Sequence, residues 1–184
     1  MEKVMKLRHI VSVTFFLILC LIGYLAFYLG AFKPVVIDMG EFGPFHLVYK
    51  KHVGAYHKIV PVIEDVERWV KSQNEPCKLS FGEYFDDPKS VEQERLRSNG
   101  GCIVSTPMAQ LAPDIEQKDL AKQFFIRAQF DGSPAIGPYK VYLKANDLMA
   151  EKGLIPNGPV YEVYEILPDQ KMKTVYYFSV KLKD

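Results

Sequence analysis

Cysteine is scarce in this chain: three residues in 184, with Cys20 inside an apolar N-terminal run and only Cys77 and Cys102 beyond it. That excludes a disulfide-stapled scaffold and a cysteine-rich zinc cluster. It leaves Cys77 and Cys102 either as one bridge in an oxidising compartment or as two buried thiols. Charge of one sign is lacking too. Lys and Arg number 23 against 22 Asp and Glu, a net charge of +1, so no basic field marks a nucleic-acid partner. There is no Gly-x-Ser-x-Gly elbow, no phosphate-binding Walker loop and no Gly-x-Gly-x-x-Gly turn; Ser98-Asn99-Gly100-Gly101 reads as an ordinary turn. His46, His52 and His57 do not fall at ligand spacing with Cys, Asp or Glu, so no metal and no cofactor is expected. Tryptophan occurs once, at Trp69, against eleven tyrosines and twelve phenylalanines. Such a bias suits strands and a ring-filled core, or a site lined by rings.

What is present begins with a long hydrophobic run. Residues 1–9 form a basic flank, with Lys3, Lys6 and Arg8 against Glu2. No charge then occurs from Ile10 to Phe32, a length that crosses about 30 Å of hydrocarbon with some tilt. Tyr24, Tyr28 and Phe32 gather at its far end, as an interfacial aromatic belt does. A cleavable signal peptide has a shorter apolar region and a small-x-small cleavage site, which Gly30-Ala31-Phe32-Lys33 does not offer. Residues 10–32 are therefore expected to be an uncleaved signal anchor of a single-pass membrane protein. The basic flank predicts a cytoplasmic N-terminus and an exoplasmic or periplasmic domain; the alternative is an ER membrane with a cytosolic domain.

Residues 33–43 read as a linker in which Val35-Val36-Ile37-Asp38 offers an edge strand, and residues 44–184 as one domain. Alternation over 44–52 predicts a strand, and Val53-Gly54-Ala55-Tyr56 a turn. Ile59, Val62, Ile63, Val66, Trp69 and Val70 fall at helical spacing, with Pro61 tolerable in the first turn. Strands follow over 79–85 and 100–104. After a connection over 105–120 the order recurs: strand 123–130, helix 139–152, strands 160–167 and 174–183. Sliding the chain by 80 positions superimposes Phe45 on Phe125, Ala55 on Ala135, Pro76 on Pro156, Tyr84 on Tyr164 and Pro88 on Pro168. These coincidences and the repeated order predict two strand-helix-strand-strand repeats, about 44–104 and 123–184. The expected fold is α+β: antiparallel sheet with helices on one side, preceded by one transmembrane helix.

Period-two alternation puts Leu79, Phe81, Glu83 and Phe85 on one face, with Tyr161, Val163, Glu165 and Leu167. These mostly apolar faces are expected to lie under the helices. Ser80, Gly82, Tyr84 and Asp86, with Val160, Glu162, Tyr164 and Ile166, are then expected to form an open groove on the opposite face. Gly82 is the counterpart of Glu162 under the offset, and Tyr84 of Tyr164. A carboxylate among rings suits an organic cation, since each ring face contributes about 0.5–2 kcal/mol and the acid supplies the counter-charge. The alternative is a strand glutamate paired with Lys140 or Lys173. Tyr56 and Trp69 are further candidate walls, although Trp69 also follows the core spacing of its helix.

The segments Tyr49-Lys50-Lys51-His52-Val53-Gly54-Ala55-Tyr56, the helix ending at Trp69, Gly82-Glu83-Tyr84-Phe85-Asp86-Asp87-Pro88 and Tyr161-Glu162-Val163-Tyr164 resemble the GyrI-like domain. This is the effector-binding domain of multidrug-sensing transcription regulators. The resemblance implies two strand-helix-strand-strand repeats and a glutamate on the late strand that contacts lipophilic cations, the position of Glu162 here. Together with the N-terminal anchor the chain is also similar to the testis-expressed ER-phagy receptor group, which implies a protein partner. Three functions are thus in view. The first is a membrane-anchored domain binding a small amphipathic or cationic molecule in a groove between its repeats. The second is a membrane-tethered adaptor, and the third a hydrolase of small electrophiles with Glu162 as base or nucleophile.

Overall fold

A computed structural model describes residues 2–167 and 172–183 of the chain. Helix α1 (Glu2–Leu29) runs for 28 residues, and its part from Arg8 to Leu29 is long and apolar enough to cross a membrane. Its large side chains from Ile10 onward lie exposed, Phe27 and Tyr28 more than 70% so. An apolar helix whose sides stay exposed until its last turn fits a lipid environment by composition. It stops at Gly30, where φ is +83°.

The rest is α+β. Eight strands form one antiparallel sheet: β1 (Val36–Phe42), β2 (Phe45–Val53), β3 (Leu79–Tyr84), β4 (Arg97–Val104), β5 (Glu116–Leu120), β6 (Gln123–Phe130), β7 (Leu154–Ile166) and β8 (Met172–Leu182). Their spatial order is β1-β6-β8-β7-β3-β4-β2-β5. At the centre β3 pairs with β7 so that Gly82 lies opposite Glu162. Residues 33–43 hold more than a lead-in, since the edge strand read at 35–38 runs on to Phe42 and pairs with β6. The connection over 105–120 likewise adds β5 to the far edge, against β2.

Two further helices cover one face. Helix α2 (Val60–Ser72) takes Pro61 in its first turn and buries Ile63, Val66 and Val70, of which the two valines pack with Val48, Cys102 and Val104 of the sheet. Helix α3 (Gly137–Lys152) begins two residues before the expected start, with Pro138 in its first turn, and ends on Gly153 at φ +63°. It packs Val141, Ala145 and Met149 onto Ile126, Ala128, Tyr176 and Phe178. Each Val, Ile, Met or Phe among these contributes roughly 1.5–3 kcal/mol by leaving water. Cys77 and Cys102 are joined in a disulfide, which settles the alternative left open by the sequence.

Two expectations are corrected here. The helices were expected over the face of Phe81 and Val163, but they cover the other. Residues opposite each other in an antiparallel ladder share a face; Glu162 lies opposite Tyr176 and Val160 opposite Phe178, and both aromatic partners belong to the α3 core. The Phe81 face is nevertheless buried, together with Leu47, Phe125, Tyr161 and Val163. The sheet covers it by curling. Phe45 of β2 and Tyr177 of β8 are four strand spacings apart, about 19 Å in a flat sheet, yet their ring centroids are 5.7 Å apart. The concave face closes on itself and leaves only about 10 Å³ of free space among Phe81, Phe125 and their neighbours, less than a ligand needs.

The second correction concerns Ser98-Asn99-Gly100-Gly101, which is strand β4 rather than a turn. Its glycines serve close packing. A Cβ on Gly100 would meet Ile63 and Ile59 at 2.8 and 3.0 Å, and one on Gly101 would lie 2.0 Å from the Val48 carbonyl oxygen. Of the residues matched by the 80-position offset, Pro168 lies outside the described residues.

Because the obstruction at Gly101 is backbone, Gly101→Ala is expected to lower stability by about 3 kcal/mol or more in urea titration. Gly153→Ala, at a positive φ with nothing within 4 Å, should cost only about 1 kcal/mol.

Candidate ligand-binding site

Glu162 sits mid-way along β7, at the centre of the sheet, on the face shared with the helices. It is 8% exposed. Tyr164, two residues on and so on the same face, donates its hydroxyl to Glu162 Oε2 at 3.2 Å. The Tyr164 hydroxyl is in turn 2.8 Å from that of Tyr84, which reaches across from β3. Gly82 makes that reach possible: a Cβ there would lie 2.6 Å from the Tyr84 hydroxyl. Its missing side chain thus makes room for a tyrosine ring rather than an open groove.

Tyr56 lies in the 3-10 turn Tyr56–Lys58 ahead of α2. Its ring meets Tyr84 edge-on at 4.7 Å between centroids. The Tyr56 hydroxyl donates to the Asp86 carbonyl at 2.8 Å and accepts from the Asp86 amide at 2.9 Å. Asp86 itself is held by Arg97 at 2.7 Å. The ring is therefore fixed as a wall of the site at the end of β3. Trp69 does not join this group; it packs half-buried against the Val48, Val66 and Val70 core under α2.

Two tyrosines complete the site without having been singled out from the sequence. Tyr176 of β8, opposite Glu162 in the ladder, is fully buried, and among the described residues neither its hydroxyl nor Thr174 Oγ1 two residues before has a hydrogen-bond partner. Tyr142 projects from α3, with its ring 6.3 Å from that of Tyr176. The signal for Tyr176 was the run Tyr176-Tyr177-Phe178, but its opposition to Glu162 depends on the β7–β8 register. Tyr142 is one position round from the buried stripe of Val141 and Ala145, and the packing of α3 on the sheet brings it toward Glu162.

Both lysines considered as partners of Glu162 are engaged elsewhere. Lys173 pairs with Glu165 at 3.2 Å, and Lys140 donates to the carbonyl oxygen of Ala31 at 2.7 Å and to that of Lys33. Among the described residues Glu162 has tyrosine hydroxyls and no cation. Burial pushes its carboxyl up to about 7, against the smaller opposing pull of the Tyr164 and Tyr142 hydroxyls. The same burial, with the Glu162 charge, raises Tyr84, Tyr142, Tyr164 and Tyr176, so the tyrosines stay protonated donors. No group of His, Cys, Asp and Glu able to hold a metal ion occurs among the described residues.

Glu83 contrasts with it. Its face is the concave one, not a helix-covered one, and it is 1% exposed. Lys118 from β5 grips both of its oxygens at 2.5 and 2.7 Å, and Asn99 donates a third bond at 2.7 Å. The ammonium also lies 5.4–5.9 Å from the centroids of the Tyr49, Phe85 and Tyr161 rings. One buried glutamate thus carries its own organic cation within a ring of aromatics, and the other has the aromatics without the cation.

The raised carboxyl makes a testable statement about stability. Between about pH 4.5 and 7 the unfolded chain releases the Glu162 proton while the folded chain keeps it, so this residue's contribution falls as pH rises through that window and levels off above it. Glu162→Gln removes the effect. Denaturant titrations are expected to show the variant gaining on the order of 3 kcal/mol relative to the parent between the acid and alkaline ends of the window. A pH-independent difference would mean that Glu162 is solvated.

No family model and no curated protein matches the sequence. Solved structures do match the fold. EcmrR in its DNA complex superimposes with a TM-score of 0.67 at 11% identity, over 97% of this chain and 70% of that one. The EcmrR C-terminal domain does so with a TM-score of 0.61 at 13% identity, over 81% of this chain and 99% of that domain. A hydrolase from Listeria innocua gives 0.52 at 12% identity, over 79% and 91%. At such identities the likeness is one of fold: the sheet and its helices are built like the EcmrR C-terminal domain.

Proposed function

We propose that the chain is a membrane-anchored, GyrI-like domain that binds a small amphipathic cation over Glu162, between the tyrosines of its two halves. The observation that carries this is the Glu162 carboxylate, buried at the sheet centre with Tyr84, Tyr142, Tyr164 and Tyr176 around it and, among the described residues, no lysine or arginine paired to it. An unpaired buried charge is costly. A ligand that brings the missing positive charge recovers that cost and gains the attraction of the ring faces, about 0.5–2 kcal/mol each. Glu83 supports the chemistry, because the protein itself places an alkylammonium on a carboxylate among aromatic rings there.

The two halves enter as repeats in this proposal. The 80-position offset carries Tyr84 onto Tyr164 and Gly82 onto Glu162, and the same pair, Gly82 and Glu162, stands face to face in the central ladder. That is what a two-fold axis through the β3–β7 pair would produce. The anchor rests on the apolar run of α1. An exoplasmic domain is supported by the basic flank before that run and by the disulfide, which persists in oxidising compartments.

A second reading has one observation in its favour. A carboxyl near pH 7 beside tyrosine donors suits general acid–base work, so Glu162 would serve a hydrolase as base.

Binding should follow the charge of Glu162. A lipophilic cation, measured by thermal shift and calorimetry, is expected to bind about tenfold more tightly near pH 8 than near pH 6. Glu162→Gln should abolish that dependence and weaken alkaline binding by about tenfold, while Tyr84→Phe and Tyr164→Phe keep the rings and most of the affinity. An unchanged shift in Glu162→Gln would remove the central residue from the site. Turnover of an epoxide, lost in the same variant, would replace the binding reading with the hydrolytic one.

A further inference from the structure

Helix α1 does not hand over to the domain through a slack tether. The Ser133 amide donates to the Leu29 carbonyl at 2.9 Å, and Lys140 donates to the carbonyls of Ala31 and Lys33. Lys33 returns a bond to the Asp131 carbonyl at 2.6 Å, and Lys144 reaches the Val35 carbonyl at 3.0 Å. The β6–α3 turn and the first two turns of α3 are thereby fastened to the last turn of α1 and the residues after it.

Around α3 each side has a different task. Val141 and Ala145 face the sheet, Lys140 and Lys144 face the end of α1, and Tyr142 faces Glu162. The remaining side points outward and is apolar only in the first half of the helix: Tyr139 is 77% and Leu143 67% exposed. Beyond Leu143 the exposed positions are Lys144, Asn146, Asp147, Ala150, Glu151 and Lys152. The apolar half is thus the half docked to α1, near exposed Tyr28 and Phe32 and the charges of Lys33 and Lys140. Rings, aliphatic chain and lysines together form an interfacial composition. The outward positions of α2 are Val60 and Pro61 in its first turn and then Glu64, Arg68, Lys71 and Ser72, without an exposed aromatic ring.

We infer that the first half of α3 lies in the headgroup layer of the bilayer that α1 crosses, so that the tyrosine–glutamate site sits at the membrane surface. The inference rests on α1 being a span. Its occupant is the lipid surface itself: residues within about one helix diameter, 10–12 Å, of the end of a span have no other medium at that depth. Amphipathic cations concentrate in that layer, and only the width of α3 separates the anchor from Tyr142 and Glu162. The ligand would reach the site from the lipid rather than from bulk water.

The test uses the full chain with Cys20→Ala, the disulfide kept oxidised, in vesicles of phosphatidylcholine with a minority of phosphatidylglycerol. A bimane label is placed in turn at Tyr139→Cys on α3, Glu64→Cys on α2 and Leu17→Cys in α1. Quenching is read from lipids spin-labelled either near the head or near the tail of the acyl chain. Leu17 should respond most to the tail label. Tyr139 should be quenched by the head label several-fold more than Glu64. If Leu17 is quenched while Tyr139 matches Glu64, the anchor stands and the inference falls. If Leu17 is not quenched, the span itself is wrong and the inference falls with it.

Discussion

The pairing of β3 with β7, which sets Gly82 opposite Glu162, governs the rest of the molecule. It joins the two halves of the sheet, and it does so with a carboxylate on one strand and no side chain on the other. Without a Cβ at Gly82 the Tyr84 ring can lie flat across β3 and bring its hydroxyl to Tyr164. Tyr164 then reaches Glu162. The two helices stand on either side of this line, each on its own half, and leave tyrosines rather than aliphatic residues to close the space between them. A sheet centre is where burial is deepest, and that is why the carboxyl there titrates near neutrality.

Much of this was legible in the sequence, and the reasons for what was not are physical. Periodicity found α2 and the first strands, the recurring order of elements found α3 and the later strands, and the uncharged run marked α1. Parity correctly grouped Glu162, Tyr164, Tyr84 and Gly82 on one face, because alternation is a local property of a strand. Which face the helices cover is not local. Phe81 and Val163 looked like residues waiting for a helix, but the curl of the sheet, visible in Phe45 meeting Tyr177, supplies their cover instead. Gly100 and Gly101 misled for a similar reason. A glycine pair reads as a turn until the side chains and the strand pressing on it are known.

The same limit explains the composition of the site. Tyr56, a candidate wall from the sequence, packs edge-on against Tyr84. Trp69 shared the helix spacing of the core and belongs to the core. Tyr142 and Tyr176 depend on how α3 sits on the sheet and on the β7–β8 register. Neither quantity is carried by any short stretch of chain.

Glu83 and Lys118 carry a consequence for the outer edge of the sheet. Strand β5 is only five residues long and pairs with β2 alone, the kind of strand that slips or recruits another chain. A slip of one residue would turn Lys118 away from the interior and leave Glu83 charged, buried and without its cation. The buried carboxylate therefore acts as a keyway for the edge strand. Register at this border is locked by charge, where the hydrophobic alternation of Glu116, Gln117, Lys118 and Asp119 is too weak to lock it.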